Sequence, residues 1–487
     1  MFWGRIQRWL KELRSKATWL LHKGWGEARL PSGERGVTTE AVREGTLPSP
    51  CPPPELAPIC LPQRRRRSII VGLDFGTSST KAVWHDTTAN AYEPFRWSAG
   101  GSQALFLPSL IGVYDNSVWY GHEAAGLPDG ALRIPWIKIC VLCRNKPKIC
   151  RGCGHSSAPG RVVLRSDLAV SAHVLAAAFL AQAMAVVERY LTERFSEEEL
   201  ILQWNLGCPV DHMDSLVARR SFEQMAWWAW KLRSAVSNPT PIQRFSGMEE
   251  TLLDTGVPDE SERLVHVRPE SHAAIMAFLQ SPEAEEETYA IVDVGAGTTE
   301  ISVLLHAKNR ADLGQPFTVN YLTDGTIPVG GDDIDRELAG IWGVSLGEAK
   351  RRKEHGEPPP RSLKAVQEVF NAYRRLCCEV RFKRLLPVEQ CDYNLFVLGG
   401  GGRMAALRSK LKQDFPEYGV RLRRIQSLRP PANFALFGEA REQFDLLAVA
   451  CGLSSTMFWD FRRPSEIDPL PEPAPAERPD CQELYSK

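Results

Sequence analysis

Ser68–Asp86, SIIVGLDFGTSSTKAVWHD, is an apolar run, a tight Asp-Phe-Gly-Thr-Ser-Ser-Thr turn, and a second run with β-branched and aromatic residues. Two such runs around a glycine-containing turn predict a β-hairpin. Gly72 and Gly76 permit close backbone approach, while Thr77 and Ser78 offer hydroxyls and main-chain N–H donors to a polyanion. Asp74, at the end of the first run, suits the water shell of Mg²⁺, which keeps its hydration and needs few direct carboxylates. Taken singly the turn is weak evidence, because many surface hairpins carry Asp-x-Gly-Thr.

The design recurs about 220 residues later in Tyr289–Leu305, YAIVDVGAGTTEISVLL. Repetition of strand, aspartate, glycine-rich turn and strand implies two related halves that face a common ligand. Gly295, Gly297, Thr298 and Thr299, with Ala296 among them, would cradle phosphate from the second side, and Asp293 would face Asp74 across the metal.

A chain of 487 residues exceeds one small core, so two domains or one large divided unit is expected. Lys plus Arg and Asp plus Glu balance at 59 each, which gives no reason to expect a nucleic-acid partner. Twelve cysteines include the adjacent Cys377 and Cys378, and no apolar leader precedes them, so a reducing cytoplasm is expected rather than a disulfide framework. No apolar run reaches the length of about 18 residues that spans a bilayer as a helix.

The first 25 residues place Phe2, Ile6, Trp9, Leu10, Leu13 and Leu20 on one helical stripe opposite Arg5, Arg8, Lys11, Arg14 and Lys23. Such a helix fits the inner face of an anionic membrane or a protein partner. Residues 26–67 form a proline-rich tether, with PSPCPPPELAP at its centre and four arginines, Arg64–Arg67, at its end. The run of arginines reads as a solvated linker end, with lipid contact as the alternative. Residues 462–487 read as a disordered tail, which leaves 68–461 for the globular unit.

Further stretches then give a family resemblance. LFLPSLIGVYDNSVWYGHEA (105–124), LGCPVDHMDSLVARRSF (206–222), RPESHAA (268–274), GTIPVGGDDIDREL (325–338), LFVLGGGGRMAALRSKL (395–411) and FDLLAVACGLS (444–454) occur in the order of Hsp70 signatures. With the two hairpins they make 68–461 resemble the Hsp70 ATPase domain of the superfamily that also holds actin and the sugar kinases. GGDDIDREL is the most discriminating stretch, since sugar kinases lack that pattern.

The resemblance implies an α/β fold of two actin-like lobes, each ribonuclease-H-like, around a central cleft for ATP or ADP with Mg²⁺. It assigns Asp74 and Asp293 to the Mg²⁺ waters, and Gly76, Thr77, Ser78, Gly295, Ala296, Gly297 and Thr298 to the phosphates. Glu270 falls at the lobe crossover, and Lys138, in RIPWIKICVL, resembles the phosphate-directed lysine. Gly330 and Gly331 belong to the GGDDID stretch; Gly399, Gly400, Gly401, Arg403 and Asp445 belong to the adenosine side. Glu300 stands where Hsp70 proteins usually carry aspartate. Ala296 replaces the middle glycine of the usual Gly-Gly-Gly-Thr, which puts hydrolysis in more doubt than binding.

Cys140, Cys143, Cys150 and Cys153 form CxxC-x6-CxxC, a spacing in which paired knuckles hold tetrahedral Zn²⁺. A redox pair or four unrelated thiols are the alternatives. Trp227, Trp228 and Trp230 read as helix packing rather than a ligand box. The Hsp70 peptide-binding domain has no counterpart in these residues. The function expected is therefore a Hsp70-like ATP-binding switch or chaperone-like factor that hydrolyses ATP with Mg²⁺. An actin-like membrane scaffold or filament is the alternative, and GGDDIDREL argues against a sugar kinase.

Overall fold

In a computed structural model of the chain, the quoted hairpin forms as β1 (Arg66–Phe75) and β2 (Ser79–Asp86), paired antiparallel. The structure describes residues 64–143, 160–209, 215–279, 284–308, 317–359, 361–383, 385–386, 392–415, 420–435, 439–456 and 461–462. The chain divides into Met1–Pro62 and Gln63–Lys487, and every described residue belongs to the second unit. The expected amphipathic helix, most of the proline-rich tether and the tail lie outside the described residues.

β1 begins inside the arginine run that was read as a linker end. The guanidinium of Arg67 lies 4.5 Å from the centre of the Phe195 ring and bonds Glu198 at 2.8–2.9 Å and Asp86. Arg66 pairs with Glu199 at 2.9 Å. Arg67 is thus half-buried against the sheet, whereas Arg66 stays exposed beside Glu199, as a solvated linker end would.

The fold is mixed α/β with several sheets, and the two largest share a plan. In the first, β5 (Glu199–Cys208) runs parallel to β1, β6 (Val265–Pro269) parallel to β5, and β3 (Ala91–Pro94) antiparallel to β2. Short β4 (Leu107–Pro108) also pairs with β2. In the second sheet the hairpin is β7 (Thr288–Val294) and β8 (Thr299–Lys308). Here β9 (Phe317–Ile327) is antiparallel to β8, β10 (Asp392–Leu398) parallel to β7, and β11 (Arg421–Gln426) parallel to β10. Short β12 (Phe461–Arg462) closes its edge. Order and strand sense thus repeat around each hairpin.

Long apolar runs in β1 and β7 are covered on both faces, as central strands of mixed sheets require. Helices α1 (Ile137–Cys143), α2 (Ala172–Arg194) and α3 (Leu216–Leu232) contribute to the core of the first sheet, where Trp227 and Trp228 are buried. Among the described residues α2 is the one helix long and apolar enough to cross a membrane, yet 67% of its apolar window is buried within the molecule. Its composition is that of a core helix.

The second sheet has its own core with α5 (Gly331–Trp342), α6 (Leu346–Glu354) and α7 (Lys364–Phe382). A third apolar cluster joins the sheets through α4 (Glu270–Leu279) and α8 (Phe444–Leu453). These helices meet at van der Waals distance: a Cβ on Gly452 would stand 1.8 Å from the Ala273 carbonyl oxygen. Gly72 similarly admits the backbone of α8, since a Cβ there would lie 2.1 Å from the Ala450 oxygen.

Candidate functional site

The turns that end β1 and β7 open on one cleft of about 420 Å³. Asp74, Gly76, Thr77, Ser78 and Lys81 reach it from the first hairpin; Asp293, Gly295, Ala296, Thr298 and Glu300 reach it from the second. Lys138 of α1 and Glu270 of α4 line it between them. Gly331, Asp332 and Asp335 of α5 join Lys350 and Lys353 of α6 on another wall. Gly399–Gly401, after β10, and Asp445 of α8 complete the lining.

Three residues expected to bind ligand, Gly297, Gly330 and Arg403, are not among those that line the cleft. A Cβ on Gly297 would meet Ile139 Cδ1 at 2.4 Å and Thr77 Cγ2 at 3.1 Å, so this glycine lets the second turn close on α1 and the first turn. Gly330 packs behind the second turn, where a Cβ would stand 2.4 Å from the Ala296 carbonyl oxygen. Arg403 forms an ion pair with Asp445, its Nε donating to Oδ2 at 2.9 Å, and is not among the residues that line the cleft.

The second turn is pinned by α5. The N–H groups of Gly331 and Asp332 donate to the carbonyl oxygens of Gly295 and Ala296, both at 2.8 Å. The Thr299 hydroxyl donates to Val329 O at 2.7 Å. Gly399 adopts φ +74°, and a Cβ there would lie 2.4 Å from Asp293 Oδ1, so only glycine suits this approach to the carboxylate. Gly207 gives Glu270 comparable room, since a Cβ on it would meet Glu270 Cγ at 2.8 Å.

Charge is concentrated between the turns. Lys138 donates to both Glu270 oxygens, at 2.6 and 2.8 Å, and both side chains are buried. Burial works against the Lys138 ammonium, but the carboxylates of Glu270, Glu300 and Asp74 outweigh it and hold its pKa above the ordinary lysine value. Lys81 donates to Asp74 at 2.9 Å. Asp293 is pushed up to about 7, first by burial and next by the charge of Asp74. Burial likewise raises Asp332, opposed by the indole N–H of Trp136, which donates to its Oδ2 at 2.9 Å.

Four carboxylates against two ammonium groups leave an excess of negative charge beside turns rich in N–H donors. Among the described residues no three His, Cys, Asp or Glu side chains converge closely enough to hold a metal by themselves. Glycine turns, lysines and carboxylates together suit a phosphate chain carrying a hydrated hard cation.

The cysteine spacing led to an expectation of turns, whereas Cys140 lies on α1, buried in the first core beside Ile137 and Val141. Spacing of i, i+3 and i+4 puts these three on the packed face of the helix. Cys143 ends α1 with its side chain undescribed, and Cys150 and Cys153 lie outside the described residues, so the tetrad does too.

Sequence reasoning missed Lys81, Trp136 and Lys353, which pairs with Asp335 at 2.6 Å. Lys81 alone had a local signal: it follows Asp74 by seven positions, the register partner across the hairpin. No protein-family model matches the chain, and no curated protein matches it.

Proposed function

We propose that residues 68–461 form a two-lobed nucleotide-binding unit of the actin and Hsp70 kind, which binds ATP with Mg²⁺ and acts as a nucleotide-dependent switch. One observation carries this reading: two hairpins of the same register, each ending in an aspartate and a glycine-rich turn, meet at one cleft with the Gly399–Gly401 segment. The repeated strand order of the two large sheets supports duplicated lobes. Helices α4 and α8, packed through Gly452, join the two sheets, and closure over a ligand would turn about this contact.

In this reading the N–H groups and hydroxyls of Thr77, Ser78 and Thr298 hold the phosphates, and Gly399–Gly401 lets the nucleoside lie against backbone. Asp74 and Asp293 orient the water shell of Mg²⁺, which when bound neutralises phosphate charge. Glu270 keeps Lys138 charged and fixed beside the phosphates. The methyl of Ala296 narrows the second turn, so slow hydrolysis with sound binding is expected.

Calorimetric titration of ATP in Mg²⁺ tests the reading. Wild type should bind, and Asp74→Ala and Asp293→Ala should each weaken Mg²⁺-ATP by about 10–100-fold. Equal affinity in all three proteins would overturn it.

A further inference from the structure

Residues 427–435 do not line the cleft, yet they carry the chain from the second sheet to the edge of the first. They follow β11 and form no helix or strand of their own, apart from a parallel bridge between Phe434 and Tyr92 of β3. Because β3 is the last strand of the first sheet, the bridge caps an edge that would otherwise be open. Tyr92 N–H donates to Asn433 O at 3.0 Å, and Ala435 N–H donates to Tyr92 O at 2.7 Å. The Asn433 side-chain amide also donates to the main-chain and side-chain oxygens of Asn90, at 2.6 and 3.0 Å.

Resting on the nucleotide reading above, we propose that residues 427–435 are a releasable strap: pairing with β3 holds the two large sheets together over bound nucleotide, and peeling from β3 sets the rate of nucleotide release.

The contact is built to open. Pro430 and Pro431 carry no N–H, so the strap has no donors with which to extend the pairing on that side. Two backbone bonds hold it, against a register of seven residue pairs between β7 and β8. Its receiving side is fixed beforehand. Asn90 holds φ +49° before β3, His85 Nε2 lies 3.2 Å from the Asn90 side-chain oxygen, and the His85 ring stacks on Tyr92 at 3.9 Å. Peeling therefore breaks few bonds and leaves β3 ordered to take the strap back.

One side chain connects the strap to the cleft. Phe434 is buried and meets the Phe444 ring edge-on, with centroids 5.3 Å apart. Phe444 opens α8, whose Asp445, Leu446 and Val449 line the cleft. Leu428 is buried in the same apolar cluster and anchors the other end of the strap. Parting of the sheets would pull on both anchors, so opening of the cleft and loss of the β3 pairing go together.

Amide hydrogen exchange and stopped-flow release of a fluorescent ATP analogue in Mg²⁺ test this with wild type, Asn433→Ala and Ala435→Pro, the last of which deletes the donor to Tyr92 O. Circular dichroism melts establish that each variant is folded, and Asn433→Ala decides alone if Ala435→Pro is not. In ligand-free wild type the Tyr92 and Ala435 amides should exchange at least about 100-fold faster than those of β7 and β8, and bound nucleotide should slow them about tenfold. Release should quicken about two- to fivefold in Asn433→Ala and about 10–100-fold in Ala435→Pro, with little change in association rate. Tyr92 and Ala435 amides that open only with the whole fold overturn the proposal, as do wild-type release rates in every folded variant. Either result leaves the nucleotide reading intact. Absence of analogue binding by wild type overturns the nucleotide reading and the strap's part in release with it.

Discussion

The two glycine-rich hairpins agree in length and register and differ in one charge. Asp74 faces Lys81 across the first, and Asp293 faces Glu300 across the second, each pair seven residues apart. The first aspartate has a cation at 2.9 Å. The second lies among carboxylates and is pushed up to about 7 by burial and by Asp74. A duplicated backbone has thus acquired two electrostatic characters, one half balanced without ligand and the other short of a positive charge. In the proposed nucleotide reading, this asymmetry would give the two turns different charges to present to a ligand.

Exchanging that charge should have the largest effect. Lys81→Glu makes the first hairpin match the second and replaces a cation of the cleft by a further carboxylate. ATP affinity should fall by more than about 100-fold with or without Mg²⁺, read by calorimetry against a melting control. A variant that binds ATP in Mg²⁺ as wild type does would show that the charge difference is incidental.

Gly399 probes the second half alone, because its close approach is to Asp293 and Val294. Gly399→Ala places a Cβ at φ +74° and 2.4 Å from Asp293 Oδ1. Thermal unfolding should show a loss of about 1–3 kcal/mol, and Mg²⁺-ATP affinity should drop about tenfold. Unchanged stability would mean that the backbone there relaxes freely.

Asp293 supplies the pH arm of the comparison. Its folded pKa of about 7 lies above the ordinary aspartate value, so the folded state holds this proton more tightly than the unfolded chain. Its contribution is most favourable below pH of about 4 and is lost as pH rises through about 7. Asp293→Asn removes that cost. Because the residue borders an open cleft, solvent reduces the effect, and the ligand-free variant should be about 1–2 kcal/mol more stable than wild type at pH 8, with the gap closing near pH 4. Constant stabilisation across that range would contradict the titration.

Legibility in the sequence followed how local each feature is. Both hairpins were readable because strand, turn and strand are adjacent along the chain and the design is repeated. Asp445 and Gly399–Gly401 were placed through resemblance and do line the cleft. The packing of Gly297 against Ile139 and of Gly330 against Ala296 was not legible, since a sequence does not show what a glycine makes room for. Arg67 departs from a solvated linker end because its partner, Glu198, is more than 130 residues away and leaves no local signal. Lys353 likewise has no local signature of its pairing with Asp335, which depends on how α5 and α6 pack.

Trp136 has the least legible role and tests whether the halves act together. It holds φ +60°, an uncommon conformation for a bulky side chain, and its indole N–H reaches Asp332, 196 positions along the chain. Ile137 after it is buried in the first core, Lys138 follows, and Asp332 N–H pins the second turn through Ala296 O. The bond therefore ties the segment that carries Lys138 to the helix that holds the second turn. Trp136→Phe keeps an aromatic side chain, though a smaller one, and removes the donor, a loss of about 0.5–1.5 kcal/mol for a hydrogen bond. If both turns grip one ligand, nucleotide dissociation should quicken about two- to tenfold in stopped-flow with little change in melting temperature. An unchanged dissociation rate would leave the two hairpins alike in register but uncoupled through this bond.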